Sequence, residues 1–188
     1  MDEVILDQPV IQQQKSNTKY GSFWERVGGA TLDWIILAPL SFGLSYLNTT
    51  TWKSSFILIL VSIITTGYKP FMEFRYGATW GKMALKLRVT NLEFEEANLA
   101  AILLRNIFQI VPALITLLFT LDMYNDPAFE SISGLIEFGT FSQQYDSLQY
   151  INYAVGLLGI IDGIMMAADQ RKRSLHDRIG GTVVINAA

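Results

Sequence analysis

Two aspartates stand inside stretches of chain that are otherwise uncharged and apolar: Asp33 within residues 27–47, and Asp162 within residues 150–168. Two further apolar stretches each carry one cation near an end. Lys69 lies late in residues 55–72, and Arg105 lies early in residues 102–121, followed by Asn106 and Gln109. An ionised side chain in such a setting costs a few kcal/mol or more unless it meets a partner, water or the interior of a helix bundle. Carboxylates so placed either pair with a cation to fix helix packing, or bind and relay a proton or small cation. Asp33 is preceded by Arg26 seven residues earlier, and Gly29 or Ala30 falls between them on the same helical face. Small residues at that spacing let another helix approach closely.

The elements that must hold these groups follow from composition. The 188 residues are 51% hydrophobic and 16% charged, with a mean hydropathy of +0.29, well to the apolar side of globular usage. Each of the four stretches is long enough to cross a hydrocarbon core of roughly 30 Å as a helix. The expected architecture is an all-α membrane protein, a four-helix transmembrane bundle. A soluble bundle of very apolar helices is the alternative, and charge placement separates the two. All of the 14 basic residues except Lys53 fall before the first stretch, cluster from Lys69 to Arg105 around the connection of the second and third, or follow the fourth. The connection at 122–149 carries Asp122, Asp126, Glu130, Glu137 and Asp146 and no basic residue. Short loops on the cytoplasmic side are enriched in Lys and Arg, so both termini are predicted inside the cell membrane and the acidic loop outside. A soluble bundle gives no reason for that alternation.

The net charge of -3 averages a basic inner face with an acidic outer loop. It does not suggest a nucleic-acid partner. The basic face, Arg171, Lys172 and Arg173 included, suits anionic lipid headgroups. With no cysteine and a single His176, disulfide and thiolate chemistry are excluded and a zinc site is not expected. No cofactor is expected either. The polar, Gln-rich start lacks the basic and apolar regions of a signal peptide, so the first stretch is expected to act as its own insertion signal. Residues 1–19 read as a flexible cytoplasmic tail. Trp24, Trp34 and Tyr150 lie at or near span ends, where aromatic belts form.

Span direction sets depth. Asp33 and Asp162 fall about 10 Å and about 9 Å from the inner boundary at 1.5 Å per residue. Arg105, Asn106, Gln109 and Lys69 fall in the same inner layer, so four helices contribute polar groups at one level. The expected partner of Asp33 is a cation, either Arg26 or, from a neighbouring helix, Arg105 or Lys69. Burial raises a carboxylate pKa and a guanidinium lowers it, and the sequence leaves that balance open. Pro39 and Pro112 fall inside the first and third spans, where they either kink the packing, the reading preferred, or free helix hydrogen bonds beside a pathway.

Two segments on the basic side read as strands. Leu85, Leu87 and Val89 alternate with Lys86, Arg88 and Thr90, and residues 182–186 are rich in β-branched side chains and follow a glycine pair. A lone strand leaves its backbone groups unpaired. A small two-stranded cytoplasmic β ribbon, 85–90 against 182–186, is therefore predicted. His176, Asp177 and Arg178 lack a nucleophile beside them, and no enzyme motif is found. Asp177 is expected to accept from backbone or an inner-face arginine and so pin the last strand beneath the bundle, with His176 as a pH-sensitive neighbour.

Three motifs now stand in order: Arg26 with Asp33; Y-G-A-T-W-G-K-M-A-L-K-L-R-V-T leading to L-L-R-N; and S-L-H-D-R-I-G-G-T-V-V-I. Together, over roughly residues 22–186, they resemble the RDD family of membrane proteins. The resemblance implies that Arg26, Asp33 and Asp177 are the name-giving positions. Trp80 departs from it, since the family commonly has proline before Gly-Lys, and the acidic loop is longer than the family's. Some members have been linked to cation/proton exchange. Two functions of different class remain: transport of a proton or cation by a bundle expected to oligomerise, because four helices enclose little volume, or a non-transporting scaffold that recruits protein partners. A water-accessible cavity reaching Asp33 would favour the first, and a sealed ion-paired core the second.

Overall fold

The computed structural model describes residues 19–187; the expected tail at 1–19 lies, but for Lys19, outside them. Helix α1 (Phe23–Leu47) starts at a capping box in which Ser22 accepts from the Glu25 amide and Glu25 accepts from the Ser22 amide. It runs through Pro39 and ends in a wider π turn, Asn48–Trp52. Helix α2 (Ser55–Tyr76) is capped by Ser54 and stops at Gly77, whose φ of +72° suits glycine. A side chain at Gly77 would also meet Arg88 at 2.9 Å. The short α3 (Trp80–Ala84) leads into β1 (Leu87–Asn91). Then follow α4 (Leu99–Arg105), α5 (Ile107–Asn125), a 3-10 turn at Pro127–Ser131, α6 (Leu135–Ser142), α7 (Asp146–Ala168), α8 (Leu175–Ile179) and β2 (Thr182–Asn186).

Among the described residues four helices are long and apolar enough to cross a membrane: Phe23–Trp52, Ser55–Tyr76, Ile107–Asn125 and Leu148–Ala168. Their outward faces leave Phe42, Phe56, Leu118 and Ile160 more than half exposed, as suits a lipid solvent, while each helix pairs its own backbone internally. α2 packs along α5, α5 along α7, and α1 along α2; the α1–α7 seam is the slightest of the four. The third span differs from the expected 102–121. The helix breaks at Asn106 (φ -95°, ψ 9°), so Arg105 ends the separate α4 and the long helix begins at Ile107. The break turns the Arg105 and Asn106 side chains onto Glu73.

The two strands pair antiparallel, Leu87 with Asn186, Val89 with Val184 and Asn91 with Thr182. β1 starts two residues later than the alternation predicts, because Leu85 closes the turn of α3 and Lys86 takes a left-handed φ of 55°. Thr90, expected on a wet face, is buried beside Val183. Leu87, Val89, Ala97, Ile102 and Val184 form the apolar core beneath the ribbon. Before α1, the Gly21 amide donates to Val184 O at 2.9 Å and Tyr20 bridges Ile185, so the chain enters the first helix from the edge of the ribbon. At the opposite end, Met123, Phe129, Ile132 and Phe141 give the acidic connection an apolar core of its own.

Candidate functional site

Between ribbon and bundle lies a closed network of charge. Asp177 opens α8 and, in a capping box, accepts from the Ser174 amide at 3.1 Å. Its two oxygens also accept from Arg26 Nη1 on α1 and Arg105 Nη1 at the end of α4. Arg105 Nε donates to Glu73 Oε2 at 3.1 Å, and Lys82 Nζ on α3 donates to Glu73 Oε1. Asn106 Nδ2 reaches Glu73 Oε2 at 3.0 Å, and Arg105 Nη1 reaches Thr182 Oγ1 on β2 at 3.0 Å. None of Arg26, Glu73, Lys82, Arg105, Asn106 and Asp177 is more than 7% exposed. With Lys82 protonated, three cations against two carboxylates leave one positive charge, and each carboxylate holds two basic groups. Such a network specifies how elements meet, since removing one member strands the others without solvent.

Asp33 stands apart from this network. Its Oδ1 accepts from Tyr68 Oη on α2 at 2.8 Å and from the Gly81 amide at 2.8 Å. The cationic partner expected among Arg26, Arg105 and Lys69 is replaced by two neutral donors. The reason is positional: Arg26, two turns lower on α1, is drawn to Asp177 and to the Gly21 carbonyl at 3.1 Å, and Arg105 is consumed by Glu73 and Asp177. The small face of α1 does admit a close neighbour, the short α3. A Cβ at Gly81 would strike the Gly29 carbonyl oxygen, so only glycine lets that amide reach the carboxylate.

Asp162 on α7 pairs with His176: Oδ1 accepts from the His176 amide at 3.1 Å and lies 2.7 Å from its Nδ1. His176 is pushed down to about 3, first by burial and then by the nearby Arg105, against the pull of Asp162. It is therefore neutral at neutral pH, and Nδ1–H donates to the carboxylate. Lys82 is pushed down to about 7 by burial, with Glu73 opposing.

A cavity of about 710 Å³ opens above the network along the α1–α7 seam. Asp33, Lys69, Arg105, Gln109, Asp162 and His176 line its charged end, and Val27, Ala30, Trp34, Leu37 and Ala38 its apolar wall. A second recess of about 250 Å³ between α5 and α7 shares Lys69, Arg105, Gln109, Asp162 and His176 and adds Asn106. The six polar groups expected at one level thus surround two adjoining cavities. Gln109 Nε2 makes only a long contact, 3.5 Å, to the Thr66 carbonyl, and Lys69 makes no ion pair or hydrogen bond among the described residues. Among the described residues four buried side-chain atoms have no hydrogen-bond partner, Arg26 Nη2, Thr79 Oγ1, Asn106 Oδ1 and Arg173 Nε, and the first and third belong to the network. No cluster of three or more metal-ligating side chains occurs among the described residues.

Sequence reasoning missed Glu73, the acid at the centre of the network, because the apolar stretch was closed at residue 72. The available signal was its spacing: Lys69 and Glu73 are four apart on one helix, and so share a face. Lys82 was counted for topology only, and the pairing of Asp162 with His176 had no signal in spacing.

Comparison with curated proteins and with solved structures gave no match. The model of the RDD family, in contrast, matches residues 20–181, which contain the Arg26–Asp177 and Asp33–Gly81 contacts alike. The chain belongs to the RDD family of membrane proteins.

Proposed function

We propose that the protein carries a proton and a small monovalent cation across a cell membrane, through the cavity lined by Asp33 and Asp162. The observation that carries this reading is the opening of a 710 Å³ cavity onto two carboxylates from different spans. Neither is neutralised by a lysine or arginine: Asp33 is held by Tyr68 and Gly81, and Asp162 by a histidine that is neutral at pH 7. Carboxylates at membrane depth that no lysine or arginine occupies are what a cation pathway requires. The ribbon end, with its Lys and Arg, faces the cytoplasm on this reading, and the acidic segment around 122–149 forms the outer mouth.

A second reading, a scaffold that recruits partner proteins, draws support from the closed Glu73–Lys82–Arg105–Asp177–Arg26 network and from Leu135 and Ile136 exposed on α6. Flux in proteoliposomes separates the two. A lumenal pH dye is followed under an imposed sodium or potassium gradient for wild type, Asp33→Asn and Asp162→Asn. Flux in wild type that falls at least tenfold in folded variants supports transport; no wild-type flux under either gradient sinks it.

A further inference from the structure

Among the described residues, Lys69 is the one cation of the polar layer whose side chain makes neither an ion pair nor a hydrogen bond. It lies on α2 seven residues before the helix ends at Tyr76, about 10 Å in at 1.5 Å per residue. An ammonium at such depth ordinarily pairs, or snorkels to the interface. Lys69 does neither: it has no ion pair or hydrogen bond among the described residues, and it lines both the large cavity and the smaller recess. Its helix mate Glu73, four residues on, is already committed to Lys82, Arg105 and Asn106. The groups around it are Glu73 and Tyr68 on α2, Arg26 and Asp33 on α1, Lys82 on α3, Arg105 at the end of α4, Asp162 on α7 and His176 on α8.

Of these, Arg26, Lys82 and Arg105 are bound to carboxylates of the network. The remaining charges on the cavity wall are Lys69, Asp33 and Asp162. In the adjoining recess, which Lys69 and Asp162 also line, the side-chain oxygen Oδ1 of Asn106, a residue 1% exposed, has no donor. A buried acceptor without a donor is the kind of group that a cation or an ordered water satisfies.

We infer that Lys69 is the coupling residue of the transport cycle, a tethered ammonium that occupies the carboxylate cavity until a monovalent metal cation displaces its proton. The inference rests on the transport reading above. In one state Lys69 carries –NH₃⁺ and, across the cavity and without a direct ion pair, balances one of the charges of Asp33 and Asp162. When a sodium ion enters, one N–H bond breaks, its electron pair stays on Nζ as –NH₂, and the proton leaves to water. One positive charge enters and one leaves, so the site keeps the same net charge in both states. A neutral amine and a metal ion therefore alternate with an ammonium, and exchange is one for one. His176 takes no part as carrier, being neutral already at neutral pH.

The test is proton release on sodium binding, measured with purified full-length protein in weakly buffered detergent solution, with binding followed by calorimetry between pH 6 and 9. Wild type should release about one proton per sodium bound, and its affinity should rise close to tenfold per pH unit over part of that range. Lys69→Gln should bind sodium without releasing protons and with a flat pH profile. Lys69→Arg, which keeps its charge, should lose at least tenfold in affinity throughout. Sodium binding by wild type with no proton released overturns the inference whatever the variants do. Proton release that persists in Lys69→Gln assigns the proton to another group and also overturns it, leaving the transport reading intact. Absence of sodium, potassium or lithium binding by wild type overturns the transport reading and this inference with it.

Discussion

The Gly81 amide donates to the Asp33 carboxylate at 2.8 Å, joining residues 48 apart in the chain. The contact exists because α1 and α3 touch backbone to backbone at Gly29 and Gly81. Gly81→Ala places a methyl group onto the Gly29 carbonyl, and the neighbours are main chain, which cannot swing away. Destabilisation of about 3 kcal/mol, the upper end for overpacking, is expected. Gly163→Ala, whose Cβ would meet Phe23 at an ordinary 3.6 Å, is the control and should unfold within a few degrees of wild type. Thermal unfolding in detergent, read by fluorescence, compares them; equal melting of the two variants would contradict the packing argument.

Asp177 holds two guanidiniums in a site closed to water. Asp177→Asn leaves Arg26 and Arg105 short of a counter-charge, a change expected to cost about 3–5 kcal/mol. Arg26→Met combined with Asp177→Asn removes one stranded cation and should recover part of the loss. A double-mutant cycle by thermal unfolding checks this; strict additivity of the two substitutions would show that the pair is not coupled.

His176 gives the protein a sensitivity to acid. Its folded value of about 3 lies below the ordinary 6.5. Between those values the unfolded chain binds the proton and the folded chain does not, so stability rises with pH across about 3 to 6.5 and is level above. On acidification from pH 7 to 4.5, wild type should lose more melting temperature than His176→Asn. The sign is the test: an equal or smaller loss in wild type would mean that burial does not depress this imidazole.

Because the chain contains no cysteine, sidedness can be read without background. Lys172→Cys, beyond α7 near the ribbon end, should react with an impermeant maleimide only after cells are opened. Glu130→Cys, in the acidic segment, should react in intact cells. The reverse pattern would invert the proposed orientation.

Much of the architecture was legible in the sequence. Four apolar stretches of spanning length reflect the thickness of a bilayer, and the pairing of the two strands followed from alternation and the need to satisfy backbone groups. Asp33, Lys69, Arg105, Asn106, Gln109 and Asp162 were legible as polar groups in an apolar setting, for which burial demands a purpose, and Arg26 and Asp177 through the motifs they belong to. Partnership was not legible. Asp33 takes a tyrosine and an amide in place of a cation, and Glu73, just beyond the apolar stretch, gathers Lys82, Arg105 and Asn106.

Hydrophobicity and charge act through local composition and survive in a one-dimensional string, so the chain alone determined which segments enter lipid and which residues are anomalous there. Hydrogen bonds and ion pairs have a reach of about 3 Å, and depend on a helix break at Asn106, a glycine contact at Gly81 and a seam left open between α1 and α7. Those are products of three-dimensional packing. Only the tertiary structure decided that Asp177 is sealed beneath the bundle while Asp33, Lys69 and Asp162 face a cavity.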